Sequence, residues 1–160
     1  MTTYPVGSII QNQKTIKTDT QSVAITAGTV AALGPTVTIT PKKLGSKIRV
    51  KANFSLSASG EMFPYAILYR DGVALSGALG DAAGSRTRVT SLASYIPSAN
   101  RPSTMTLEFD DVPNDLSAHT YEVRFTSINT FTLRLNMLDT DTNSNIYPRA
   151  QSFISAEEIA

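Results

Sequence analysis

The chain has 160 residues, 14 Lys+Arg against 13 Asp+Glu for a formal charge of +1, and no cysteine. That length suits one domain whose core is large enough to need neither a disulfide nor a metal staple. The missing cysteine excludes a thiol nucleophile, a Cys-ligated zinc and an iron–sulfur site, and a neutral balance without a basic run argues against a nucleic-acid groove.

No stretch reaches the ~18 apolar residues of a membrane-spanning helix. The opening Met1-Thr2-Thr3-Tyr4-Pro5-Val6-Gly7-Ser8 has neither the charged region nor the apolar core of a signal peptide. The expectation is a single domain over 1–160, made in a host cytoplasm and not exported by that route, with 1–10 as an N-terminal arm.

In chain order, weak strand signals cover 8–14, 22–26 and 36–40. Lys42, Lys43, Lys47, Arg49 and Lys51 are the densest basic stretch, but a Gly-Ser turn interrupts it and the rest alternates along a strand, so it reads as a solvated face. That strand is the clearest in the chain: Ile48, Val50, Ala52, Phe54 and Leu56 alternate with polar residues, and period two buries one face and wets the other. The segment 62–70 is apolar on both faces, with Tyr65, Ile67 and Tyr69 on one side and Ala66 and Leu68 on the other. Such a strand is central in a sandwich or covered by a neighbouring subunit. Asp71-Gly72 is hairpin chemistry. A further strand is expected over 88–96.

Period two returns in Met105, Leu107 and Phe109, then in Tyr121, Val123 and Phe125, then in Phe131, Leu133, Leu135 and Met137, whose polar partners include Asn136. The strands 120–126 and 130–137, with a short loop between them, read as an antiparallel hairpin. A last strand covers 151–159. Short strands with regular turns and no helical pattern give an all-β antiparallel sandwich or jelly roll.

Candidate sites are sparse. His119 is the sole histidine; no Gly-x-Ser-x-Gly elbow accompanies it, and it reads as a solvated loop residue. Asp139, Asp141, Asn143 and Asn145 place oxygen side chains at alternate positions, like the first half of a calcium loop. Ser144 and Ala150 stand where the turn glycine and the bidentate glutamate belong, so no metal is assigned. Adjacent Asp110 and Asp111 point to opposite faces of an extended strand and cannot form a catalytic pair; with Asp115 they read as turn chemistry. Asn53-Phe54-Ser55 matches a glycosylation sequon but lies in a strand. Arg70, Arg86, Arg88 and Arg101 are a candidate anion patch if the fold brings them together. No catalytic residue and no cofactor is assigned, and the chain reads as a non-enzyme.

The words Pro5-Val6-Gly7-Ser8-Ile9-Ile10-Gln11, Lys17-Thr18-Asp19-Thr20-Gln21, Val37-Thr38-Ile39-Thr40-Pro41, Ser46-Lys47-Ile48, Leu68-Tyr69-Arg70-Asp71-Gly72, Thr120-Tyr121-Glu122-Val123, Asp139-Thr140-Asp141 and Glu157-Glu158-Ile159 follow one another nearly end to end. Their order resembles small virion structural proteins and fibre-tip domains of tailed bacteriophages, notably those of cyanobacteria and marine bacteria. The resemblance implies a trimeric jelly roll related in shape to tumour-necrosis-factor and complement globular heads, and trimer packing would cover the second face of 62–70. It supplies no catalytic residues.

Two functions of different class follow. One is a capsid decoration or cement protein on the virion surface, partnered by itself as a homotrimer and by the major capsid protein, with Tyr4, Pro5, Ile9, Ile10, Tyr65, Ile67 and Tyr69 as contacts. The other is a fibre or spike tip that recognises a host-surface receptor or glycan. A fibre tip is expected to follow a shaft and to carry exposed aromatics in its long loops. No shaft precedes this domain and the stretch 76–87 has no aromatic residue, so decoration is expected. Neither nucleic acid nor membrane is an expected partner.

Overall fold

A computed structural model describes residues 3–92 and 95–160. Met1 and Thr2 of the expected arm, and Ala93 and Ser94 of the expected strand 88–96, lie outside the described residues. In chain order the strands are β1 (Ile9–Lys17), β2 (Gln21–Ile25), β3 (Ala31–Ala32), β4 (Val37–Ile39), β5 (Lys47–Ala58), β6 (Tyr65–Arg70), β7 (Val73–Ala74), β8 (Ser91–Leu92), β9 (Ser103–Asp111), β10 (His119–Thr126), β11 (Phe131–Leu135) and β12 (Ser152–Ile159). A single 3₁₀ turn, Ser76–Ala78, is the only helical element among the described residues.

The strands form two antiparallel sheets, and the fold is an all-β sandwich. In the first sheet β5 is central: β9 pairs one edge, while β12 and then β11 share the other, with β1 outside β12 and β2 outside β11. In the second sheet β10 is flanked by β6 on one side and by β4 and β3 on the other, and β6 carries β7 and β8. The alternating residues Ile48, Val50, Ala52, Phe54 and Leu56 all face inward and are buried. They meet Tyr121, Val123 and Phe125 of β10 and Ala66 and Leu68 of β6, with the Phe54 and Phe125 rings 6.0 Å apart. Each of the larger side chains contributes roughly 1.5–3 kcal/mol through burial.

The turn Asp71-Gly72 forms the expected hairpin between β6 and β7, with φ of 52° and 78°, the paired left-handed geometry of a type I′ turn. The other expected hairpin does not form. β10 lies in the second sheet and β11 in the first, so the residues between them cross from one sheet to the other. That arch is held by Gly28, whose amide donates to the Ser127 carbonyl at 2.8 Å, and by Ala27, whose amide donates to Thr130 Oγ1 at 3.1 Å. Hairpin and arch share the same alternating pattern, because either way each strand buries one face.

Asn136 also departs from its expected outward position. It is fully buried with φ of 61°, which ends β11 and turns the side chain inward. Its amide nitrogen donates to the carbonyls of Lys17 and Asp19, and its oxygen accepts from Ser152 Oγ at 2.6 Å.

Gly34 lets the β3–β4 connection press directly on the core. Its φ is +102°, and a Cβ there would lie 2.6 Å from Cε2 of Phe54. Gly84 has a similar positive φ but open space around it. Gly34→Ala combines backbone strain with displacement of a central ring and should cost about 2–4 kcal/mol, against about 1 kcal/mol for Gly84→Ala. Urea denaturation of the two variants checks this; equal losses would contradict the close approach at Phe54.

Candidate functional site

The basic stretch is neutralised where it stands. On the outer face of the first sheet, Arg49 donates to both oxygens of Asp110 at 2.8 and 3.0 Å, Lys47 lies 3.1 Å from Asp110, and Lys51 lies 3.4 Å from Glu157. The hydrogen bond from Arg49, with further help from Lys47, brings Asp110 down to about 2. Asp111 faces the other way, as an extended strand requires. It is buried between the sheets, accepting from Arg70 Nη1 at 2.6 Å and from the Tyr121 hydroxyl at 2.8 Å. Burial first, and then the Asp111 carboxylate, push the Tyr121 hydroxyl up out of the physiological range. Asp111 is thus a buried link between β9 and both β6 and β10, a role beyond turn chemistry.

His119 is not a solvated loop residue. It begins β10 and is 6% exposed, with Nδ1 2.7 Å from Asp71 Oδ2 and Nε2 3.0 Å from Asp115 Oδ1. It faces inward at the end of the sandwich, and the two carboxylates satisfy both of its buried ring nitrogens. The ring ties the β6–β7 turn to the loop before β10, and neither nitrogen is left to serve a hydroxyl nucleophile. Burial pushes Asp71 up, but bonds from His119 and from the Thr120 amide outweigh it and hold the carboxyl below its usual range.

The two carboxylates of the calcium-loop run are paired with arginines. Asp139 lies 2.5 Å from Arg134, and Asp141 accepts two bonds from Arg149 at 3.2 and 2.6 Å. Asn143 and Asn145 are exposed. Among the described residues, no group of three or more His, Asp or Glu side chains is placed to hold a metal ion. The four arginines do not form one patch: Arg70 is committed to Asp111, Arg86 and Arg88 share one exposed region and bond the Ala83 and Gly80 carbonyls, and Arg101 is exposed outside that region. Asn53 lies in mid-strand, paired with Phe153 and Thr106.

Of the expected contact residues, Pro5 and Ile9 are exposed and Tyr4 and Ile10 half-buried. The β6 face is less open than its composition suggests. Ile67 is 7% exposed within its own chain, and the Arg124 guanidinium lies 4.3 Å over the Tyr69 ring. No second subunit is needed to cover Ile67.

Tyr65 alone of that face opens onto a concavity of about 720 Å³. Its apolar lining consists of Phe63, Tyr65, Val89, Leu92, Tyr95 and Ile128. Strand geometry assembles this lining. Met62 and Ile96 form an isolated antiparallel bridge with both side chains in the core, so the next residue on each strand, Phe63 and Tyr95, emerges on the outer face as a neighbouring pair. The rings stack at 4.7 Å and remain 48% and 41% exposed. One step further, Tyr65 pairs with Leu92. The pattern Met-Phe against Tyr-Ile is readable in the sequence, but no local signal pairs segments more than thirty residues apart.

Compared with protein-family models and with curated proteins, the chain matches none.

The acid most enclosed by its own fold is Glu158. It is fully buried on β12 and accepts from the Lys42 and Lys43 amides, Ser46 Oγ and Gln11 Nε2, all at 2.7–3.0 Å. Burial raises its pKa, but the bonds from Ser46, Gln11 and the two amides outweigh that and hold it below the ordinary 4.5. A depressed folded-state pKa stabilises the fold above the unfolded value, and that contribution is lost as pH falls through the folded one. Glu158→Gln presents a donor to four donors and should cost about 2–4 kcal/mol near neutral pH. The deficit should shrink as pH falls through the depressed folded-state value and acid protonates the native carboxylate. Urea denaturation across pH checks this; a deficit independent of pH would contradict it.

Proposed function

We propose that this chain is a virion structural protein of a tailed bacteriophage, a trimeric jelly-roll head that decorates the capsid by contact with the major capsid protein. The trimer and the jelly-roll topology come from the sequence resemblance. The apolar face of β6 gives the trimer little support, because Ile67 and Tyr69 are covered within the chain.

The observation that carries the reading is the outer edge of the first sheet. β1 is nine residues long and pairs only with β12, which leaves its other edge able to accept a strand from a neighbour. Apolar side chains line the approach: Val6 is 94% exposed, and Ile9 and Ile16 are also exposed. The expected arm is partly tied down. Gly7 donates its amide to the Ala160 carbonyl at 2.8 Å, and Ser8 donates to Pro5, so Val6 projects from an anchored turn. A preformed apolar edge suits a lattice, where many weak contacts add up.

A second reading, a fibre tip that binds a host-surface receptor, gains one observation. The stretch 76–87 has no aromatic residue, yet the stacked and exposed Phe63 and Tyr95 line the same concavity as Ser85, Arg86 and Thr87.

Co-sedimentation with empty capsids and, separately, with host cells tests the proposal. Saturable binding to capsids, impaired by deletion of 1–6 or by Ile16→Glu in protein that still unfolds cooperatively, is the expected result. Binding to cells with none to capsids would transfer the function to the fibre tip.

A further inference from the structure

We propose that the concavity beside β6 and β8 is a binding site for an acidic saccharide. The inference deepens the second reading by naming the ligand class of that surface, and it requires only that the cleft stay open to solvent.

Phe63 and Tyr95 are stacked on each other at 4.7 Å, so no planar base can insert between them. Together with Leu92 they present a broad apolar surface with an exposed flank. Such a surface suits the C–H face of a pyranose ring, which is apolar in the middle and rimmed by hydroxyls. Tyr95 cannot swing freely, because its hydroxyl donates to Glu61 Oε1 at 2.5 Å. The platform is therefore partly ordered before any ligand arrives.

The polar part of the lining is Ser85, Arg86 and Thr87. Two hydroxyls there can exchange hydrogen bonds with sugar hydroxyls. Arg86 is the only charged residue lining the cleft among the described residues, and its Nη1 bonds only the Ala83 carbonyl, at 3.2 Å. The rest of its guanidinium has no protein partner among the described residues. An exposed fork of N–H donors in the same cleft as an apolar platform is complementary to a carboxylate carried on a sugar ring. Charge complementarity thus selects a uronic or sialic acid over a neutral sugar. It also selects against an apolar peptide, which would leave Arg86 unanswered.

The test is calorimetric titration of the intact chain with tetragalacturonate, a hyaluronan tetrasaccharide and sialyllactose, each to about 10 mM, with maltotetraose as the neutral control. At least one acidic sugar should bind, with maltotetraose weaker by about tenfold or more. Arg86→Ala should weaken the acidic sugar by about tenfold and leave maltotetraose unchanged, while Arg86→Lys recovers part of the loss. Phe63→Ala should weaken acidic and neutral sugars together. Both positions are exposed, so circular dichroism and melting of the variants should match the parent. Binding of none of the three acidic sugars, equal binding of maltotetraose, or indifference to Arg86→Ala would each overturn the proposal. Co-sedimentation with capsids is a separate readout, so decoration can stand or fall without this site.

Discussion

β5 has no free edge over most of its length. Nine of its twelve residues pair with β9 on one side, while β12 and then β11 occupy the other. With both edges committed, a shift of one residue would turn Phe54 and its inward neighbours to solvent and drive Lys47, Arg49 and Lys51 into the core, a penalty no local adjustment can offset. The register of β5 therefore sets the register of the strands beside it. Glu108 and Asp110 of β9 and Glu157 of β12 then fall beside the basic residues of β5, and they form a grid of ion pairs on the outer face. Exposed pairs of this kind contribute little stability, roughly 0–1 kcal/mol each. Their effect is to suppress wrong registers and to pair Lys47, Arg49 and Lys51 with carboxylates.

The ends of the sandwich are closed by buried polar groups. Asp111 joins the sheets through Arg70 and Tyr121, His119 bridges two loop carboxylates, Glu158 gathers the β4–β5 connection, and Asn136 holds the chain between β1 and β2. Each is hydrogen-bonded on several atoms, and loss of one partner would leave buried donors or acceptors unmet. These are the residue types that a search for catalysis or metal binding selects. Their geometry closes the fold: every carboxylate among them faces donors, and the hydroxyls of Ser46, Tyr121 and Ser152 are hydrogen-bonded into the same networks.

The strands were legible because period two survives wherever one face is buried. The inward set of β5, the Asp71-Gly72 turn and the divergence of Asp110 from Asp111 all follow from that rule. It is silent about which sheet a strand joins. The β10–β11 segment reads as a hairpin, but the chain crosses between sheets there, and hydrogen bonds from residues a hundred positions away hold the arch. Burial of His119 was hidden for the same reason, since Asp71 reaches it only once β6 and β10 are side by side. The aromatic platform depends on a single bridge between Met62 and Ile96. Phe63 and Tyr95 have no sequence neighbour that announces their pairing, and the aromatic-poor stretch 76–87 drew attention away from the surface where they emerge.

The two proposed contact surfaces lie on different sheets. The β1 edge, with Val6 and Ile16, belongs to the first; the aromatic cleft opens on the outer face of the second. A head arranged this way can seat one edge on a lattice and leave the other sheet facing solvent, so attachment and recognition do not compete. The central proposal is that the chain is a stoichiometric component of the virion surface. Quantitative mass spectrometry of purified particles, paired with cryo-electron microscopy of the same particles, tests it most directly. The account predicts a copy number that is a fixed fraction of the major capsid protein, with density resolved as three-lobed heads on the outside of the shell. Absence of the chain from purified particles would contradict it.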